Sequence, residues 1–600
     1  MKPTVFDRVK NIFHRQAAPE AAAQHAEWDK KLVFSLAKSR FPSVRQLAYL
    51  PRYLSLRERV IVRTAIFLTV AAIVFLSARF YQRHIEILPR EGGEYVEALI
   101  GQPQHINPAL AGTNDTDMDL ARLMYSSLLR FDEKQQLVTD LAERYEISED
   151  KKTYTVILKQ NIRWHDGEPL TADDVLFTVD TIQNPVINSP LLSSLKGVTV
   201  EKIDDQTVKF TITEPFAPFL SSLTFGILPV HIWGDVLPES IGLAEFNIRP
   251  VGSGPYQFAS LQKNRNGDIK SYTLKSYRGY HGQVPYISTI MVKFYPDFDS
   301  ALEAAKNKNV DGVSFVPRSK QSMLARNDDI LIRRFELPQY TAIFFNQKNG
   351  LMKDKSIRQA FAMAVDRQAL VTQVLGADGT LVNGPIPEGF IGYSPDISIP
   401  AFDPVAARKI LDDNKWAFLE GETVRKKGSA ELRFTLTTVD QPDYVRTAEL
   451  LKAAWESINV GVTINIVPPT RFQQDILRTK NYEALLYGEL IGSDPDPFPF
   501  WHSSQSLGEG LNLSNYFNKN ADKLLQDARQ TTSLEEREKM YIEFQKILAD
   551  DLPALFLFSP SYLYAVHKDV RGIDTERVIL PTDRLNGIAG WYIKTRRGWK

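Results

Sequence analysis

Residues 164–177 read WHDGEPLTADDVLF, and with the segment before them they hold the clearest local information about the fold. The preceding stretch 153–159, TYTVILK, has the β-branched and aromatic content of a strand. Thr171 is placed to cap a helix, and Asp174 follows three residues later as in a capping box. We therefore predict a strand, a turn and a helix in this order. The buried face of the helix is predicted to consist of Val175, Val179 and Ile182.

The rest of the chain continues this alternation of strand-like and helix-like segments without internal repeats. Residues 208–212, VKFTI, alternate as in a half-buried strand. Residues 252–255, GSGP, predict a tight turn. A helix is predicted around an apolar stripe made of Ile357, Phe361, Ala364 and Val365. These patterns indicate a mixed α/β protein in which helices cover sheets.

Composition limits the possible classes. A chain of 600 residues exceeds what one hydrophobic core usually organises, so two or more folding units are expected. Hydrophobic residues at 43% and charged residues at 24% match globular proteins and argue against wholesale disorder. The absence of cysteine excludes thiol nucleophiles, thiolate metal sites, disulfides and a cysteine-linked lipid anchor.

One long apolar run, residues 60–78, predicts a transmembrane helix. Its 19 residues would span roughly 28 Å as a helix, close to the thickness of a bilayer core. A buried core helix is an alternative, because the uncharged part, 64–78, is shorter than most spans. A cleaved signal peptide is another, although 59 residues precede the run and Phe75–Ala78 is a poor cleavage site. We favour an uncleaved signal anchor.

Charge indicates the orientation of this helix. Residues 1–59 contain 12 Lys and Arg against 5 Asp and Glu, a net charge of +7, whereas residues 80–600 have a net charge of −9 (58 against 67). The positive-inside rule therefore predicts a cytoplasmic N-terminus, a single-pass protein in the cell membrane and a large extracytoplasmic part. The tail could lie against anionic headgroups or dock to a cytoplasmic partner. One apolar helical stripe in it is predicted from Trp28, Leu32 and Leu36.

Enzyme motifs are missing from the sequence. It contains no Gly-x-Ser-x-Gly elbow, no phosphate-binding Gly-x-x-x-x-Gly-Lys-[Ser/Thr] loop and no His-Glu-x-x-His. The nine histidines are scattered, so no metal cluster is predicted, although a nickel or haem site built from distant residues stays open. The acidic exterior part argues against nucleic-acid binding. We therefore expect no catalytic residues, no cofactor and no resident metal.

Several stretches in order along the chain resemble the extracellular solute-binding proteins, family 5, which include the dipeptide-, oligopeptide- and nickel-binding components of ABC importers. Residues 142–161 are similar to the signature strand of that family, and 164–177 resemble its "hDGxPLTADDVxF" run. The resemblance extends from about Glu94 to the C-terminus. Further matches are Ile106–Pro108, Gly252–Tyr256, Ile357–Phe361 with Val365–Arg367, and Ser493–Pro497.

The resemblance implies a two-lobed, periplasmic-binding-protein-like clamshell with an extra subdomain inserted into the first lobe and two chain crossings between lobes. Such closure buries a ligand so that a few polar groups determine affinity. The expected order is a cytoplasmic tail at 1–59, a transmembrane helix at 60–78 and a spacer at 79–93. Lobe I is then expected at 94–116, 229–343 and 565–600, the inserted subdomain at 117–228, and lobe II at 344–564.

By this resemblance the chain is a membrane-tethered receptor that captures an oligopeptide-like or other small polar ligand. It would deliver the ligand to a permease whose ATPase is cytoplasmic. A surface peptide chaperone or ligand sensor on the same fold is the alternative, and an enzyme on this scaffold would require demonstrated turnover.

One departure from the family pattern concerns the ligand's charge. In the peptide-binding members, a carboxylate that pairs with the ligand's free amine lies three residues before the first Asp of an Asp-Pro-Asp run, and here that position is Ile491. An aliphatic side chain cannot neutralise a buried ammonium group. Either the amine is met elsewhere, with Glu489 as the candidate, or the ligand has none.

The other candidate ligand-binding residues follow from the same resemblance and from clustered aromatics. Asp494 could contact ligand, although Asp494 and Asp496 could equally be turn residues that bind their own backbone. Aromatic candidates are Tyr487, Trp501 and, in a Pro- and Gly-rich loop, Tyr393 with its neighbour Phe390. Lobe I contacts implied by family position are Asn107 and Tyr256.

Overall fold

The computed structural model describes residues 54–325, 327–508 and 510–599. Of these, 54–88 with 597–599 form one compact unit and 89–596 form a second. Most of the predicted cytoplasmic tail, including the stripe of Trp28, Leu32 and Leu36, lies outside the described residues.

The first unit begins with a 29-residue helix, α1 (Leu56–His84), which contains the predicted span. Ser55 caps it reciprocally: the Ser55 backbone N–H donates to Glu58 Oε2 at 2.8 Å, and the Glu58 N–H donates to Ser55 Oγ at 3.4 Å. None of its residues is buried. Among the described residues this is the one helix long and apolar enough to cross a membrane.

The segment predicted as a spacer, 79–93, is largely structured, and its role as a spacer stays a prediction. Helix α1 continues to His84, and strand β1 (Ile85–Pro89) follows at once. β1 pairs with the last strand of the chain, Thr595–Trp599. The sequence could not indicate this strand because its partner lies about 500 residues away.

The remaining elements alternate as predicted for an α/β protein. The other helices are α2 (Asp115–Met124), α3 (Ala172–Gln183), α4 (Leu192–Leu195), α5 (Val230–Trp233), α6 (Phe298–Lys306), α7 (Lys355–Met363), α8 (Arg367–Val374), α9 (Pro404–Asp413), α10 (Pro442–Glu456), α11 (Pro469–Phe472), α12 (Phe498–Trp501), α13 (Lys519–Gln530) and α14 (Leu534–Asp551). The strands are β2 (Glu94–Ile100), β3 (Leu129–Phe131), β4 (Leu137–Thr139), β5 (Ala142–Ile147), β6 (Thr153–Leu158), β7 (Thr199–Asp204), β8 (Thr207–Thr211), β9 (Tyr256–Lys263), β10 (Ile269–Ser276), β11 (Thr289–Tyr295), β12 (Gly312–Val313), β13 (Ile330–Glu336), β14 (Gln339–Phe345), β15 (Gly379–Leu381), β16 (Lys426–Lys427), β17 (Ala430–Glu431), β18 (Arg433–Val439), β19 (Gly461–Val467), β20 (Ala484–Leu490), β21 (Ala554–His567) and β22 (Thr595–Trp599).

Two lobes share one sheet, whose main path runs β19-β18-β20-β14-β21-β12-β2-β11-β10-β9. Strand β21 belongs to both halves: residues 554–558 pair with β14, and residues 561–567 pair with β13. Between these pairings the chain crosses twice, at Leu337-Pro338 and at Ser559-Pro560. The two crossings touch, because Ser559 Oγ donates to the Leu337 carbonyl at 2.9 Å. These crossings lie several residues before the predicted lobe limits at 343 and 564, and those limits stay predictions.

Each lobe has its own hydrophobic core. One core includes Leu99, Trp164 and Trp591 from the first lobe. Separate cores in the second lobe centre on Phe361 with Trp455 and on Phe344 with Trp501. Separate cores are what allow two lobes to fold as distinct bodies joined by crossings.

The strand, turn and helix predicted from residues 153–159 and 164–177 fold largely as the sequence predicts. Strand β6 forms within an antiparallel sheet of order β5-β6-β8-β7, inside the predicted insert 117–228. Asp174 Oδ2 accepts from the Thr171 N–H at 2.8 Å, and its other oxygen accepts from the Val230 N–H at 2.9 Å. Val175, Val179 and Ile182 are fully buried, and so is the stripe of helix α7, which confirms both predicted faces.

The predicted tight turn at 252–255 is wrong. The backbone there runs irregularly and bends only at Gly254-Pro255 before β9. Gly252 and Gly254 lie against the end of helix α2, where a side chain on either would collide with the backbone of Met124. The Gly254 N–H donates to the Met124 carbonyl at 2.8 Å. These glycines therefore permit close packing of two backbones.

A fully buried ion cluster joins the two ends of lobe I. Arg584 Nη2 lies 3.0 Å from Glu97 Oε1, and Arg584 Nη1 donates to Asp119 Oδ1 at 2.9 Å. Burial raises the pKa of Glu97, while the neighbouring carboxylates hold the pKa of Arg584 above its usual range. One guanidinium thus donates hydrogen bonds to two buried acidic side chains.

Replacing Arg584 with Ala leaves buried acidic groups unpaired, so we expect the unfolding free energy to fall by about 3–5 kcal/mol. Guanidinium unfolding of the full-length protein in detergent measures this. Arg571→Ala is the matched control, because Arg571 is exposed and we expect less than about 0.5 kcal/mol. Equal midpoints for the two variants would contradict this role for the cluster.

Candidate ligand-binding cleft

Both lobes contain parallel strands, and the carboxyl ends of these strands indicate where a ligand could bind. β11 and β12 run parallel to β2 in the first lobe, and β19 and β20 run parallel to β18 in the second. In open α/β sheets, ligands bind outside the carboxyl ends of such strands. The candidate cleft is therefore bounded by Ile100, Tyr295 and Val313 on one side and by Val439, Val467 and Leu490 on the other.

Ion pairs tie the lobes together beside this cleft. Arg318, just beyond β12, pairs with Asp443 in the first turn of helix α10. Arg318 Nε also lies 3.7 Å from Asp378 Oδ2, and Arg334 Nε donates to Asp378 Oδ1 at 2.7 Å. These pairs hold the carboxyl ends of the two sets of strands near each other.

Strand β20 has a backbone edge that no described strand covers. Its residues 484–490 pair with β14, but only 484–486 pair with β18. Because the Ile491 N–H donates to the Pro338 carbonyl on the β14 side, alternation points the backbone groups of Gly488 and Leu490 toward the uncovered edge. An extended ligand could add there as a further strand.

A cavity of about 280 Å³ adjoins this edge. Its aromatic wall consists of Tyr444, Phe472 and Tyr487. The Phe472 and Tyr487 ring centroids are 5.0 Å apart, and those of Tyr444 and Tyr487 are 6.3 Å apart, each pair inclined by 27°. We call this cavity the β20-edge pocket. The predicted site residue Tyr487 therefore lies in a cavity wall.

Glu489 points into the core of the second lobe. Tyr340 Oη donates to its Oε2, and Trp501 Nε1 donates to Tyr340 Oη at 3.2 Å. The other oxygen of Glu489 has no hydrogen-bond partner among the described residues. Burial raises the pKa of Glu489 well above its usual range, which disfavours the charged carboxylate. Glu489 and Trp501 are thus brought together at Tyr340, and Tyr487 lies two residues before Glu489 on the same strand.

Ile491 is 5% exposed and packs in the same core as Trp501 and Phe344. Tyr487, Glu489 and Ile491 follow one another at every second position and so share one face of the strand and its extension. After Tyr487, at Glu489 and Ile491, that face points into the interior of the second lobe.

Asp494 and Asp496 are both held by arginines from consecutive helices. Arg537 of α14 binds both oxygens of Asp494, one at 2.7 Å. Arg529 of α13 donates to Asp496 Oδ2 at 2.7 Å, and Asp496 Oδ1 accepts from the Phe498 N–H at 3.1 Å. The backbone bond of the turn alternative is therefore present at Asp496, whereas the carboxylate of Asp494 serves an ion pair.

Three other predicted residues lie apart from β20. Asn107 is buried, and its Oδ1 accepts from the Ala109 N–H at 2.9 Å. Tyr256 is buried and donates to the Ile287 carbonyl at 3.1 Å, at the end of the first-lobe sheet opposite the cleft. Tyr393 lines a cavity of about 130 Å³ beside the lobe crossings, together with Phe390. The structure does not bring these three together with Tyr487.

Sequence reasoning missed the groups that complete the site. Arg318, Asp443, Arg529 and Arg537 lie in segments without a motif, and their partners are distant in sequence. Tyr444 and Phe472 carry no local signal either. They could be found only from the strand order, which places the loops after β18 and β19 beside the end of β20.

The fold and cleft agree with comparisons to known proteins. Residues 136–510 match the model of the bacterial extracellular solute-binding proteins, family 5. The chain belongs to this family. It is 30% identical over 524 residues to the oligopeptide-binding protein AppA of Bacillus subtilis, covering 84% of this chain and 92% of that protein.

Two solved structures extend the comparison. AppA from B. subtilis in complex with a nonapeptide has a TM-score of 0.64 and 28% identity, covering 84% of this chain and all of that one. NikZ from Campylobacter jejuni in complex with Ni(L-His) has a TM-score of 0.66 and 28% identity, covering 83% and 99%. The chain is therefore an extracytoplasmic solute-binding protein of the ABC-importer class, with two lobes.

The raised pKa of Glu489 gives a pH-dependent prediction. Its folded-state pKa is raised, so its contribution to stability is complete below the unfolded pKa of about 4.3 and is lost as pH rises toward the folded pKa. Glu489→Gln removes this loss. Above pH 5, we expect the unfolding free energy of the variant to increase relative to that of wild type by up to about 1.4 kcal/mol per pH unit.

Guanidinium unfolding between pH 5 and pH 8 measures this difference. Glu388→Gln is the control, because Glu388 is exposed and the substitution should leave the pH dependence unchanged. A Glu489→Gln variant whose stability follows wild type at every pH would mean that Glu489 ionises in the folded protein.

Proposed function

We propose that this protein captures an oligopeptide-like ligand between its lobes and delivers it to an ABC permease. The observation that carries the proposal is the uncovered edge of β20 at Gly488 and Leu490, which faces the cleft and offers backbone donors and acceptors. Backbone pairing binds an extended chain with little regard to side-chain identity. The nonapeptide bound by AppA supports this ligand class.

We further propose that the ligand does not present a free amine at the Ile491 position. Three carboxyl groups lie near it, and each is buried or paired with an arginine. Glu489 is buried with a raised pKa, while Asp494 and Asp496 are paired with Arg537 and Arg529. An ammonium group placed against this core would lose its hydration without gaining an anionic partner.

The membrane anchor belongs to the same proposal. The length and exposed apolar surface of α1 support a span, and the basic residues before it support a cytoplasmic N-terminus. A tethered receptor stays near its permease without a lipid-modified cysteine, which this chain does not have.

Native mass spectrometry of the full-length protein released from detergent should show a retained ligand that denaturation identifies as a peptide. In titration calorimetry, N-acetylated and free-amine forms of one peptide should bind within about twofold of each other, because these three carboxyl groups are buried or already paired with arginines. A preference of tenfold or more for the free amine would contradict the assignment at Ile491. A protein that retains no solute and binds no peptide would overturn the ligand class.

Carbonate extraction of native membranes should leave the protein in the membrane fraction with its N-terminal segment intact. The physical reason is that α1 buries apolar side chains in lipid. N-terminal sequencing provides the check. A soluble mature protein beginning after Ala78 would instead identify α1 as part of a cleaved signal.

A further inference from the structure

The β20-edge pocket lies beside the candidate cleft. It is built at the carboxyl ends of the three parallel strands of the second lobe, from Val439, from residues after β19, and from Tyr487, Gly488 and Leu490. Arg318 of the other lobe pairs with Asp443, the neighbour of the lining residue Tyr444. The pocket therefore opens where the two lobes approach.

Its walls combine stacked rings with neutral amides. Tyr444, Phe472 and Tyr487 provide the aromatic side, and burial raises the pKa of Tyr444 to about 12, so its hydroxyl stays protonated. The polar side is made of Gln339, Gln441 and Gln473. None of the described residues that line the pocket is charged. A charged group entering it would meet no counterion on the walls, whereas a ring would find stacking partners.

Glycine at position 488 keeps the pocket open. A side chain there would collide with Tyr444 Oη and Gln339 Nε2, both of which line the cavity. The backbone groups of the same Gly488 face the uncovered edge, so a ligand strand paired there runs beside the pocket mouth. Gln473 and Leu477 belong to a five-residue π-helical segment, a rare conformation found frequently at functional sites.

We propose that the β20-edge pocket receives one uncharged aromatic side chain of an extended ligand bound along β20. This inference rests on the proposed function and adds the chemical class of one ligand side chain. Only one side chain is expected to enter, since the volume of about 280 Å³ lies at the lower end of small-molecule pockets. Side chains on the opposite face of the ligand strand point away from it.

The test uses full-length protein in detergent and N-acetylated peptides Ac-Ala-Ala-X-Ala-Ala-amide, with X as Phe, Ala, Glu or Lys and the variable position also moved along the peptide. Titration calorimetry should find one position at which Phe binds about tenfold or more tightly than Ala, and Glu and Lys more weakly than Ala. Tyr487→Leu should reduce the Phe advantage over Ala to about threefold or less.

A substitution that adds a charge to the pocket separates a direct contact from a loss of structure, because it should reverse the preference of the pocket among charged peptides. Gln473→Glu places a carboxylate in the pocket wall and should improve binding of the Lys peptide about tenfold over wild type. Gln474→Glu is the matched control, because Gln474 is exposed, adjacent in sequence and outside the pocket, and it should change nothing.

Two failures are distinguishable. If peptides bind but Phe gains no advantage at any position, or Gln473→Glu and Gln474→Glu behave alike, the pocket assignment is overturned and the peptide-binding function stands. If none of the peptides binds, the proposed function is overturned and the pocket assignment falls with it.

Discussion

Strand β21 is the constraint on which the two-lobed structure depends. It pairs with β14 in one lobe and with β13 in the other, so a single extended backbone is a structural member of both. At Phe558–Pro560, beside the other crossing at Leu337-Pro338, β21 pairs with the short strand β15. The backbone that links the two lobes is therefore concentrated at one narrow place.

The position of the cleft follows from this arrangement. Because β21 joins the two sheets edge to edge, the parallel strands of each lobe can direct their carboxyl ends to the shared space. Loops at those ends need not resemble one another, and they carry the side chains that distinguish one ligand from another. In the second lobe these side chains are aromatic rings and amides at the β20-edge pocket, while nearby carboxyl groups are buried or paired with arginines.

Sequence patterns predicted the features that depend on residues close together in the chain. The capping of α3 by Thr171 and Asp174, the buried face of that helix, the stripe of α7 and the long apolar helix all depend on residues a few positions apart. The Gly-Ser-Gly-Pro stretch was misread because glycine serves both tight turns and close backbone packing, and the sequence does not distinguish the two. The two-lobed arrangement was predicted from the family resemblance.

The groups that complete the site lay beyond local reasoning. Asp494 and Arg537 are 43 residues apart, and Asp496 and Arg529 are 33 apart, so neither pair has a signal in sequence spacing. The direction of Glu489 could not be foreseen either, because strand alternation places it with Tyr487 and Ile491 without saying which face of the strand meets the core. That choice is made by Tyr340 and Trp501, which come from other elements.

The buried cluster of Arg584 with Glu97 and Asp119 bears on the order in which the protein folds. Its members are separated by up to 487 residues, so Glu97 and Asp119 have no cation to neutralise them until nearly the whole chain has been made. Strand β21, which closes the sheet, also comes late in the chain. Contacts of such long range form slowly, and a partly synthesised chain exposes unpaired strand edges while it waits. Synthesis of the first lobe thus begins before that of the second lobe and ends after it. The cleft can therefore form only when nearly the whole chain has been made.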